Sequence, residues 1–399
     1  MPRSRAAAVA IVVLGLVVAS CGGTDDKENT AGSTTTVATT TTVATTTTVA
    51  PTTMVAPSSS STAPSVSSTS RAPAPSSAPT TTAAARPADP VVARFESAGT
   101  RFEVTEVARN LDTVWALAWD PAGSLWYTER GGRLTRLGDR PQSVPGVEES
   151  GEAGLMGLEI DGRGRRFLMY TGDADNRIVR LEADGSQRVL VSGIAKAVIH
   201  DGGRLRFGPD GMLYASTGDA AQPPLAQDPN SLNGKVLLID PERGSPTVFS
   251  RGHRNIQGLC FAPDGRFLAT EHGPDRGDEV NVVTRGFDGG WPDAVGNGIR
   301  NYTPTIALAG CDVYSAALIP AWRGSMLFAT LKGRDLHRLT FRPDGSVASD
   351  EVLLDGVFGR LRDVRTGPDG AVYLATSNRD GRGSPEDNDD RILRVAPAR

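Results

Sequence analysis

His200 in HDGGRL and Asp219 in TGD, nineteen residues apart, are the first pair whose types and spacing suit catalysis. One hairpin with arms of similar length returns the second residue beside the first. A carboxylate behind an imidazole fixes its tautomer and stabilises the imidazolium, the usual form of a general base. Four cations occupy comparable positions: Arg254, followed by Asn255, in GHRNIQG, Lys332 in LKGRD, and Arg360 and Arg362 in GRLRDV. Spaced by two, Arg360 and Arg362 face the same way from an extended segment. If their loops converge, four cations in a protein of net charge −4 require an anion, and a multiply carboxylated or phosphorylated ligand is the natural occupant. The alternative is a set of rim arginines paired with neighbouring aspartates. A third constellation, EHGPDRGDEVN over 271–281, combines carboxylates such as Glu279 with turn carbonyls. These are the hard oxygens Ca²⁺ prefers, or else they make a solvated acidic loop.

Such loops need a scaffold that brings them together. From about Arg94 the chain consists of short alternating apolar runs punctuated by Gly and Asp-Gly, with no long amphipathic helix pattern. An apolar segment, a turn, a second strand and a third strand recur six times, in copies beginning at Trp115, Gly154, Gly203, Gln257, Tyr314 and Leu361. A spacing of roughly 40 to 60 residues is that of four-stranded blades, so residues 93–399 are predicted to form an all-β, six-bladed β-propeller. The Pro-Asp-Gly triplets at Asp210, Asp264, Asp344 and Asp369 read as tight turns with a positive φ at glycine, not as metal ligands. The segment Arg94 to Leu111 is predicted to close the ring against the C-terminal RILRVAP. Loops at one end of a propeller surround its channel, which is where the candidate residues belong.

The front of the chain is different. Arg3 and Arg5 precede an apolar run from Ala6 to Val18, short for a membrane span but suited to a signal-peptide core. Val18-Ala19-Ser20-Cys21 resembles a bacterial lipobox, the alternative being an ordinary secretory signal. The expectation is a signal peptide over 1–20, an acylated Cys21 anchored to the cell membrane outside the cytoplasm, and a tether over 21–92. Residues 24–92 are almost wholly Thr, Ser, Ala, Pro and Val, a composition that builds no core. Cys260 and Cys311 either pair or remain separate buried thiols. Three cysteines make no disulfide framework, and 42 basic against 46 acidic residues exclude a basic-groove nucleic-acid partner.

Taken together, GEAGLMGL, HDGGRLRFGPDGMLYASTGD, NGKVLLID, GHRNIQGLCF, EHGPDRGDEVN, GGWP, ATLKGRDLHRL and RLRDVRTGPDGAVYL resemble the glucose/sorbosone dehydrogenase family, collinearly over about 100–397. That resemblance implies a propeller binding pyrroloquinoline quinone, a planar tricarboxylate, with Ca²⁺. It implies His200 as the base, Asp219 as its partner, and Arg254, Asn255, Lys332, Arg360, Arg362 and Thr305 as cofactor contacts. The carbonyls of Gly273 and Pro274 would hold the Ca²⁺. The implied reaction oxidises the anomeric hydroxyl of aldose sugars to lactones and passes electrons to an external acceptor. Three positions depart from the family pattern: Glu152 for a frequent Gln, Gly289 for a Tyr before Gly-Trp-Pro, and Thr303 for an aromatic residue. Two other readings stand beside this one: a non-catalytic surface propeller binding glycan or protein, and a calcium-dependent lactonase. The lactonase needs a central metal held by carboxylates and Asn, where this chain has His200 and cations.

Overall fold

The computed structural model describes residues 89–398. The expected signal peptide, Cys21 and nearly all of the tether lie outside the described residues. The first strand, Val91–Ser97, begins two residues before the boundary expected from composition.

Six antiparallel sheets follow in chain order. Each blade starts with an inner strand: Val114–Trp119, Leu155–Ile160, Leu205–Phe207, Ile256–Phe261, Leu308–Val313 and Leu361–Thr366 for blades 1 to 6. Most of these strands are buried nearly throughout, because neighbouring blades cover one face and the channel the other. They therefore read as continuous apolar runs such as VWALAW and LAGCDV. The outer strands, Gln187–Ile194 among them, mix exposed and buried positions. The ring closes as predicted: Thr100–Ala108 pairs with Ile392–Pro397, with Val104 opposite Val395, and Val91–Ser97 adds a fifth strand to blade 6.

The turn reading of Pro-Asp-Gly holds. Gly211, Gly265, Gly345 and Gly370 all have positive φ, and each preceding aspartate accepts the N–H two residues on, as Asp210 does from Met212. Blade 5 departs from the expected repeat. Its inner strand is Leu308–Val313, not the segment from Tyr314, which turns instead through a short 3₁₀ helix at Pro320–Trp322. The buried Tyr314 hydroxyl secures that turn, accepting from Ile319 N–H and donating to Gly370 O. Cys260 and Cys311, on the inner strands of blades 4 and 5, form a disulfide with Cα atoms 5.9 Å apart.

Charged side chains of the inner strands meet across the axis. Arg204 of blade 3 lies 3.1 Å from Asp363 of blade 6, Arg206 of blade 3 pairs with Asp312 of blade 5, and Arg365 of blade 6 lies 2.9 Å from Glu159 of blade 2. These pairs join blades that are not neighbours, so they fill the channel. Three arginines against three carboxylates leave no net charge, which is what makes their burial tolerable.

Candidate active site

At the end of the ring where the inner strands begin, a cavity of about 720 Å³ opens over this plug. His200, Arg254, Gly273, Pro274, Thr305, Lys332, Arg360 and Arg362 all line it, from blades 3 to 6 and their loops. The convergence of His200 and the four cations, which the sequence made conditional on their loops meeting, is what the fold produces, and Gly273, Pro274 and Thr305, placed here by the resemblance, join them.

The loop glycines set the base. Gly202 and Gly203 have φ of +68° and +105°, and a Cβ on Gly218 would fall 1.8 Å from His200 O. Glycine is thus required where HDGG presses onto TGD. Under that pressure His200 itself takes φ of +64°, a left-handed conformation costing a non-glycine residue about 1 kcal/mol or more. The result is a 2.8 Å hydrogen bond between His200 Nδ1 and Asp219 Oδ1. With Nδ1–H donating to the carboxylate, Nε2 is left as the basic nitrogen. Asp219 is fully buried behind the ring and also accepts from Ala221 N–H and from Trp291 Nε1–H, each at 2.8 Å.

Arg254 is placed by its backbone and by an aromatic face. Its N–H donates to Glu271, its carbonyl accepts Asp219 N–H at 2.9 Å, and its guanidinium lies 5.5 Å from the Trp291 ring centroid. Burial pulls its pKa below the usual arginine value, against the pull of Asp219 and Asp278. Glu271 in turn binds His253 Nδ1, whose Nε2 meets Ser250 Oγ at 2.8 Å. That serine, histidine and glutamate have the connectivity of a hydrolytic triad but are sealed from solvent, so they brace Arg254 and do no chemistry. Asn255 stands behind the wall: its Oδ1 accepts Gly202 N–H at 3.1 Å, and its buried Nδ2 finds no partner among the described residues.

The remaining cations are partly neutralised. Arg360 and Arg362 both bind Asp380 Oδ2, at 2.7 and 3.0 Å, a partner that sequence reading missed because Asp380 lies in an irregular segment with no motif. Burial lowers the Arg362 pKa to about 10 despite Asp380. Lys332 Nζ donates to Thr305 Oγ1 at 3.1 Å. Arg130 and Arg382, also missed, line the cavity too. Arg382 Nη2 lies 2.9 Å from Glu152 Oε1, while Glu152 Oε2 accepts His200 N–H at 3.2 Å. Burial would raise the Glu152 pKa, but Arg382, His272, the His200 N–H and Arg362 together hold it below the usual range, so the carboxylate is ionised.

Counted around the wall, six cations, Arg130, Arg254, Lys332, Arg360, Arg362 and Arg382, face three carboxylates, Glu152, Asp278 and Asp380. Among the lining side chains alone the cations outnumber the carboxylates by three, and Glu149, paired with Arg130 at 2.8 Å, and Asp219 behind His200 offset part of that excess. The rim-pairing alternative therefore accounts for only part of the cluster.

Besides Asp219 and Asn255, which stand behind it, three positions do not join the wall. Glu279, expected among the metal ligands, turns away: it accepts Gly298 N–H at 2.8 Å, and burial with the neighbouring Glu271 charge raises its pKa to about 7. Its strand, Asp278–Val282, continues outward from the cavity, which removes its side chain from Gly273 and Pro274. Among the described residues no three His, Cys, Asp or Glu side chains come together as a metal site. Gly289 is packed against the next loop, where a Cβ would meet Gly252 O at 2.6 Å, so a larger residue there requires a different backbone. Thr303 accepts Gly277 N–H at 3.1 Å and shapes the 273–277 turn.

Comparison with known proteins agrees with this geometry. The structure resembles the PQQ-bound form of aldose sugar dehydrogenase from Streptomyces coelicolor at 35% identity and a TM-score of 0.67, over 77% of this chain and 99% of that one. The sequence is 29% identical to an aldose sugar dehydrogenase of Escherichia coli K12, over 72% of this chain and 91% of the relative. It is 23% identical to quinoprotein glucose dehydrogenase B of Acinetobacter calcoaceticus, over 72% and 87%. Residues 111–392, which run from the first strand of blade 1 to the start of the last strand of blade 6 and include every cavity residue discussed, match the Glucose / Sorbosone dehydrogenase family, and the chain is a member of that family.

Proposed function

We propose that this protein is a quinoprotein dehydrogenase that oxidises the anomeric hydroxyl of aldose sugars to lactones, with pyrroloquinoline quinone as cofactor. The observation that carries the reading is the excess of lining cations over lining carboxylates in a cavity that also presents the His200–Asp219 pair. A planar tricarboxylate suits a wall on which cations outnumber carboxylates. The unpartnered Nδ2 of Asn255 beside Arg254 is a further donor in search of an acceptor. Arg254, Lys332, Arg360, Arg362 and Thr305 would hold the cofactor from the wall, with Asn255 behind them. Gly273 and Pro274 offer backbone carbonyls that accept no hydrogen bond among the described residues, a hard-oxygen pair suited to Ca²⁺.

When bound, the quinone supplies an electrophilic carbonyl that takes up hydride. His200 Nε2 removes the proton from the anomeric hydroxyl, and buried Asp219 stabilises the imidazolium that results. The Arg254 guanidinium is a fixed positive charge in a poorly solvated site, where it counts for more against developing negative charge than it would in water. The charge plug beneath closes the channel, so sugar enters from the loop end.

The same reading places the enzyme outside the cytoplasm, lipid-anchored through Cys21 and handing electrons to an external acceptor. The Cys260–Cys311 disulfide supports an oxidising compartment. The test is reconstitution: apoprotein given the quinone and Ca²⁺ should reduce a dye with aldoses, and His200→Ala should abolish this while leaving the fold intact. Absence of calorimetric quinone binding favours the non-catalytic propeller instead.

A further inference from the structure

Trp291, in the GGWP segment to which no role attaches, touches both halves of the site without lining the cavity. It lies on the connection between the last two strands of blade 4, whereas Asp219 belongs to blade 3. Its Nε1–H donates to Asp219 Oδ2 at 2.8 Å, while Oδ1 of the same carboxylate accepts His200 Nδ1–H at 2.8 Å. Ala221 N–H shares Oδ1 with the imidazole, whereas Trp291 holds Oδ2, so the carboxylate cannot rotate without losing one of these contacts. The face of the same indole carries the Arg254 guanidinium at 5.5 Å. The indole is itself held by its backbone: Trp291 N–H donates to Gly252 O at 3.0 Å, and its carbonyl accepts Gln227 Nε2–H at 2.9 Å.

We propose that Trp291 is a positioning residue that sets the base and the cofactor-facing cation together, its N–H fixing Asp219 behind His200 and its ring seating Arg254. This rests on the dehydrogenase reading for its kinetic consequence, but not for its structural one. Trp291→Phe separates the two contacts, since it keeps an aromatic face and removes only the donor.

The experiment begins with the apoprotein. A proton shared between His200 Nδ1 and Asp219 gives a far-downfield imidazole resonance, assigned by its loss in His200→Ala. In Trp291→Phe this resonance is expected to broaden into exchange with water, while the corresponding resonance of the distant His337–Asp350 pair persists and reports an intact fold. From the other side, Asp219→Asn should shift the Trp291 indole N–H resonance, a measurement that stands even if Trp291→Phe fails to fold. In the loaded enzyme, Trp291→Phe should lower kcat about tenfold with KM unchanged. The same substitution should have no further effect in an Asp219→Asn background. Calorimetric quinone affinity should be unchanged in Trp291→Phe and weakened in Trp291→Ala. An undisturbed His200 resonance, an undisturbed indole resonance or equal losses in both backgrounds overturns the proposal. A wild-type protein that oxidises no aldose overturns the functional reading instead, and the two resonances still decide this one.

Discussion

Arg362 and Asp380 meet at 3.0 Å with both side chains almost wholly removed from solvent, and Arg360 reaches the same carboxylate oxygen at 2.7 Å. One buried carboxylate thus restrains two arginines that would otherwise repel each other, and it leaves the pair one charge in excess. Removing it exposes that balance. Asp380→Ala is expected to lower the stability of the apoprotein by about 3 kcal/mol, since two buried cations lose their partner. Added quinone should restore much of this loss by replacing the missing negative charge, so the rise in Tm on cofactor addition should be larger in the variant than in wild type. Thermal denaturation with and without quinone checks both.

Glu152 subtracts from the positive excess while supporting His200 through its main-chain N–H. Glu152→Gln keeps an oxygen to accept that N–H but removes a charge and the ion pair with Arg382. Quinone affinity measured by calorimetry should rise severalfold. The KM for sugar should rise as well, because Arg382 is released from a fixed position at the mouth.

His337 provides a pH-dependent contribution away from the site. Burial would lower its pKa, but Asp335 and Asp350 outweigh burial and raise it to about 9. The folded value lies above the unfolded one, so the stabilisation is complete below about pH 6.5 and is lost as pH rises through about 9. Denaturant unfolding of His337→Gln should therefore show a deficit of a few kcal/mol against wild type at the acid end of that window. The two proteins should converge above it.

The Cys260–Cys311 bond joins inner strands across a separation of 51 residues. On loop-closure entropy its loss costs about 4 kcal/mol. The paired change to alanine should lower the denaturation midpoint accordingly. Because both residues are buried, mild reductant should leave the bond intact in the folded protein and reduce it only as the chain unfolds.

The blades were legible because hairpin turns and period-two strands are local. Pro-Asp-Gly triplets fix turns within four residues, and each buried inner strand needs only an uninterrupted apolar run. The one misplaced strand, in blade 5, failed for an equally local reason: YSAALIPAW is as apolar as a strand, and only the Tyr314 hydroxyl, bonded to blade 6 at Gly370, turns it into a loop. His200, Arg254, Arg360 and Arg362 were legible because each stands before or at the start of an inner strand, and Lys332 because it directly follows a strand of its repeat. Asp380, Arg382 and Trp291 lie in long irregular connections where nothing periodic marks them.

By itself, then, the sequence determined the six-fold repeat, the closing strand and the set of residues presented at one end, since each follows from short-range patterning copied around a ring. Only the tertiary structure decided how the charges balance. Whether Asp380 reaches two arginines, whether Glu279 faces the cavity and whether the two cysteines pair all depend on side-chain distances between segments tens to hundreds of residues apart. Hydrogen bonds and close ion pairs depend on distances of a few ångströms, and chain separation carries no information at that scale.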